Sequence, residues 1–78
     1  MNEWLSARAD ELAKRSGVDR RALELTEQEI DELLDLAGYA AHASGERTNA
    51  PLLCYLVGLA RAGGSSLDEL DETVRSSS

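Results

Sequence analysis

The chain has 78 residues, of which 42% are hydrophobic and 29% charged, with a net charge of −7. A chain of this length buries only about 60% of its unfolded surface, so it holds one core and no second. One helical domain over residues 1–75 is expected, followed by a disordered serine tail over residues 76–78.

The single Cys54 and single His42 exclude an internal disulfide and leave too few ligands for a structural zinc site. No metal and no cofactor is expected. The longest apolar run, Leu52 to Ala60 with Gly58 inside it, is far short of the ~20 residues that span a bilayer. The opening Met-Asn-Glu-Trp-Leu puts an acid where a secretory signal carries positive charge. These features predict a cytoplasmic protein without a membrane contact.

The negative charge is uneven. Residues 1–25 hold five basic and five acidic side chains, whereas residues 26–78 hold three basic and ten acidic ones. A surface of that sign repels a phosphate backbone, so nucleic acid is not an expected partner.

The first helix is expected to open at Asn2 as N-cap, carry Trp4, Leu5, Ala9, Leu12 and Ala13 at helical spacing, and close at Gly17. Trp4 reads as a core anchor. Asp19 caps a short turn from Arg20 to Leu23, with Val18, Leu23 and Leu25 tucking the connector inward. Thr26 and Glu29 have the form of a capping box opening a second helix. Ile30, Leu33, Leu34, Ala37 and Ala41 share a stripe on that helix, which ends near Ala43 before Gly45.

Asn49 is expected to cap the third helix, with Pro51 in its first turn. Apolar side chains from Leu52 to Ala60 cover most of that helix's circumference, which predicts a buried, central element with Leu52, Leu56 and Leu59 inward. Cys54 and Gly58 are expected to let a neighbouring backbone come close. Gly63 and Gly64 end the helix, and Ser66 with Glu69 forms a second capping box ahead of Leu67, Leu70 and Val74. The β-branched residues are scattered and no strand is predicted. The expected fold is all-α, a compact bundle of four main helices with a buried third helix.

Few residues carry chemistry. The acidic runs Glu27 to Asp35 and Asp68 to Glu72 ride on continuous helices rather than in an EF-hand loop, and read as solvated helix surface. Asp35, Tyr39 and His42 share a helical stripe, and Arg47 with Asn49 follows at the start of the next helix. Together they form the candidate site for a ligand or partner. Arg47 beside a helix N-terminus is the geometry of an anion pocket, although pairing of Arg47 with Glu46 or a helix-two carboxylate competes with it. No nucleophile, second His or glycine-rich loop joins them, so no catalytic residue is assigned and no enzyme is expected.

The segment Asp35-Leu36-Ala37, then Ala41-His42, Arg47, Ala50-Pro51-Leu52, Tyr55-Leu56 and Gly58-Leu59-Ala60 resembles a small bacterial domain family of unknown function, and Trp4-Leu5 fits the same pattern. Members of that family stand alone or are attached to proteins resembling the nucleotidyltransferase that adds guanosine monophosphate to molybdopterin. The resemblance implies a non-catalytic accessory or interaction domain near molybdenum-cofactor biosynthesis, with such a nucleotidyltransferase as a possible partner. The alternative is a small-molecule or anion-binding domain using the loop between helices two and three.

Overall fold

A computed structural model describes residues 1–78. The chain is all-α: α1 (Glu3–Ser16), a 3-10 turn (Arg20–Leu23), α2 (Glu27–Ser44), α3 (Asn49–Arg61) and α4 (Leu67–Ser76). No helix is long and apolar enough to cross a membrane. The chain divides into two compact units, Met1–Ile30 and Asp31–Ser78, with the division in the first turn of α2.

In the first unit, local polar groups set the helix ends. Asn2 Oδ1 accepts the Leu5 N–H at 2.8 Å. Gly17 takes φ 76°, which a side chain would resist, and its N–H donates to Ala13 O at 2.9 Å. Asp19 Oδ1 accepts from the Arg21 N–H at 2.9 Å and opens the 3-10 turn. An ionic contact then fastens that turn to α1, Arg20 Nε donating to Asp10 Oδ1 at 2.6 Å, while its Nη1 donates to Glu24 Oε1 at 3.0 Å, just past the turn. Ala9 is the buried residue of α1.

Two expectations fail in this unit. Trp4 is exposed rather than a core anchor, with the Arg8 guanidinium 5.1 Å from its ring centre. Val18 is exposed as well, and only Leu23 and Leu25 of the connector are half-buried. The reciprocal box at the start of α2 is present: Glu29 N–H donates to Thr26 Oγ1 at 3.1 Å, and Thr26 N–H to Glu29 Oε1 at 2.8 Å.

The second unit has an apolar centre. Leu36 of α2, Val57 of α3 and Leu67 of α4 are buried together, and Leu33, Tyr39, Leu53, Leu70 and Val74 pack against them. The inward face of α2 is therefore Leu33, Leu36 and Ala40, while Leu34 of the expected stripe is exposed. The Ser66–Glu69 box opens α4, with Glu69 N–H donating to Ser66 Oγ at 3.2 Å and Ser66 N–H to Glu69 Oε1 at 3.0 Å.

The expected burial of α3 is overturned. Val57 alone is buried on that helix, with Ala50, Leu53 and Cys54 half-buried around it. Leu52, Tyr55, Leu56 and Leu59 are each more than half exposed. The reason is geometric: at 100° per residue the apolar side chains of α3 fall on two opposite faces, and the helix has a packed neighbour for one of them. Gly58 likewise meets no neighbouring backbone, since a Cβ there would have nothing within 4 Å.

Candidate interaction surface

The surface starts from how α3 is launched. Ser44 closes α2: its hydroxyl donates to Ala40 O at 2.6 Å and accepts the Glu46 N–H at 3.2 Å. Gly45, at φ 74°, adds a bond from its N–H to Ala41 O at 3.0 Å. The chain then winds helically before α3 begins, because Asn49 N–H donates to Glu46 O at 3.1 Å and Ala50 N–H to Arg47 O at 3.2 Å. Asn49 is consequently the first residue of α3 rather than its cap. Thr48 holds the N-cap position in an αR conformation and makes no side-chain capping bond.

That geometry bears on anion binding. The Asn49 and Ala50 amides are already engaged, and Pro51 has no N–H, so the first turn of α3 has little to offer an anion. Arg47 is exposed and makes no salt bridge with Glu46 or a helix-two carboxylate. His42 is exposed in the last turn of α2, where Ser44 and Gly45 supply the helix closure.

The other candidate residues separate. Tyr39 is half-buried against the apolar centre, with the Arg75 guanidinium of α4 4.8 Å from its ring centre. Arg75 Nε also donates to Asp71 Oδ1 at 2.8 Å. That bond raises the Arg75 basicity above its ordinary level, and the Asp35 carboxylate adds a smaller push in the same direction. Asp35 and Tyr39 thus belong to an α2–α4 contact, with no part in it for His42 or Arg47.

An open groove of about 640 Å³ lies between the C-terminal half of α2, α3 and the end of α4. Tyr39, Ala43, Asn49, Leu52, Leu56 and Val74 are among its walls. Leu52 and Leu56 also belong to the exposed face of α3, so groove and face are continuous. Leu52, Tyr55, Leu56 and Leu59 stand at i, i+3, i+4 and i+7, the spacing of a helix seam. The sequence shows this spacing plainly; what it does not show is that the seam points outward. Cys54 lies on the inner side, where burial pushes its thiol pKa up and away from the reactive thiolate.

The chain belongs to a family of domains of unknown function, DUF6457, whose family model matches residues 1–78, beyond the segment that carries the sequence resemblance. No curated protein and no solved structure matches the chain.

Proposed function

We propose that this chain is a non-catalytic protein-interaction domain whose working surface is the outer face of α3 with the adjoining groove. The observation that carries this reading is that four large apolar side chains at helix-seam spacing stand exposed on one side of a helix whose opposite side is packed. Exposed apolar surface costs solvation free energy, and a contiguous patch of this kind is a common mark of a docking site. The spacing fits a partner helix laid along α3.

The partner we propose is a nucleotidyltransferase of molybdenum-cofactor biosynthesis, the enzyme class to which the sequence resemblance points. The test uses that enzyme in purified form, from the same cell, passed over the immobilised full chain. Capture that is lost in Leu56→Asp is the expected result. A lack of capture by wild type at about 100 μM, a concentration that still detects weak complexes, overturns the assignment of this partner.

A further inference from the structure

We propose that, in the chain alone, a second copy covers the outer face of α3, the two α3 helices meeting antiparallel across a two-fold axis between Tyr55 and Leu56. The inference rests on the preceding reading of that face as the working surface, and it names what occupies the face when no enzyme is bound.

Three observations carry it. The seam is its own complement: turned end for end, positions 52, 55, 56 and 59 exchange as 52 with 59 and 55 with 56, so Leu52 of one copy faces Leu59 of the other. That is the condition for an isologous interface.

Charge points to the same helix. A copy with net charge −7 repels a second one, so two copies meet best where carboxylates are missing. Every one of the 15 acidic side chains lies outside residues 47–67, and α3 is the single α-helix of the chain without one. The charges in that stretch are Arg47, two residues before α3, and Arg61, its last residue.

Area sets the strength. Three leucines and a tyrosine, each more than half exposed, present on the order of 400 Å². The walls of the groove beside Leu52 and Leu56, including Ala43 and Val74, extend that surface. Even so it falls below the ~800 Å² per partner of a standard interface. The dimer is therefore a weak one, dissociating in the range of about 10–100 μM, which leaves the face available to a competing enzyme.

Sedimentation equilibrium of the full chain tests this, from about 5 to 500 μM to bracket that range, in low salt and at about 0.5 M, where the Debye length falls to a few ångströms. Mass should rise from monomer to dimer with concentration. Association should tighten in high salt as the repulsion between two acidic chains is screened.

Leu56→Asp should weaken association on the order of a hundredfold by placing a charge in the seam, with its helical circular dichroism unchanged because the side chain is exposed. Leu34→Asp, at an exposed leucine of α2, should leave the dimer intact. A monomer at every concentration, a dimer that loosens in high salt, or one that survives Leu56→Asp or fails in Leu34→Asp overturns the proposal. Enzyme capture by a chain that stays monomeric would overturn the dimer and leave the docking reading standing. A dimer that captures no enzyme would do the reverse.

Discussion

In the unit Met1–Ile30, the 3-10 turn is held to α1 by the Arg20 guanidinium between Asp10 and Glu24, and one small residue, Ala9, is buried. In the unit Asp31–Ser78, three helices close over Leu36, Val57 and Leu67. Exposed ion pairs contribute little and are screened by salt, whereas each buried aliphatic side chain contributes about 1.5–3 kcal/mol. The two units should therefore respond to different perturbations, the first to ionic strength and the second to loss of side-chain volume.

The largest expected effect is in the apolar unit. Leu36 is 0% exposed, so Leu36→Ala should cost about 2–5 kcal/mol, a large part of the stability of so small a domain. Leu56 is 59% exposed, and Leu56→Ala should cost less than about 1 kcal/mol in the monomer, as surface changes usually do. Chemical denaturation of both variants at a concentration below dimer formation makes the comparison. Equal losses would show that α3 packs on both faces.

The caps come next. Ser66→Ala removes the hydroxyl that accepts the Glu69 N–H and should cost about 0.5–2 kcal/mol, read as a lower denaturation midpoint. The same box makes a pH prediction. The Ser66 backbone N–H, and then its hydroxyl, hold the Glu69 carboxyl below its ordinary value of 4.5. A carboxylate whose folded pKa is depressed stabilises the fold fully above its unfolded value and loses that contribution as pH falls through the folded one. The melting-temperature gap between wild type and Glu69→Gln should accordingly be open at neutral pH and close on acidification below 4.5. A gap that stays constant with pH would break the assignment.

A gain is expected at Gly38. It sits within α2, and a Cβ built there meets nothing within 4 Å. Gly38→Ala should raise stability by about 0.5–1 kcal/mol through the lower backbone entropy of the unfolded chain. A loss instead would reveal a neighbour at that face, so thermal melts of this variant probe the second unit from its exposed side.

These contrasts follow how far the fold is legible in the sequence. Caps are local, and Asn2, Gly17, Asp19, the Thr26–Glu29 box and the Ser66–Glu69 box all act where three- or four-residue patterns place them. Facing is not local. α3 is apolar on two sides and α2 carries both Leu33–Leu36–Ala40 and Ile30–Leu34–Ala41 stripes, so periodicity marks helices without deciding which stripe meets a neighbour. Val57 and Leu36 are inward because of partners far along the chain. The same holds for the site: Arg75 over Tyr39 joins residues 36 positions apart, and no short pattern announces it. Asn49 is a reasonable cap by type, but its N–H already bonds Glu46 O and Thr48 is already αR, so the helix starts without it.

The smallest effect belongs to the ionic fastening of the first unit. Arg20 keeps 30% of its side-chain surface in solvent, and its hydrogen bond to Asp10 raises its basicity. The pair is exposed enough for salt to screen it. Arg20→Ala should free the 3-10 turn from α1 while leaving the Leu36 cluster intact. Amide exchange should quicken for Arg21, Ala22 and Leu23, and remain slow for the buried Leu36 and Val57. Raising salt on wild type should move the first set of amides in the same direction by a lesser amount, because screening weakens the pair without removing it. If Arg20→Ala instead speeds exchange equally at Val57, the two units unfold together and the contrast between an ionic and an apolar unit does not hold.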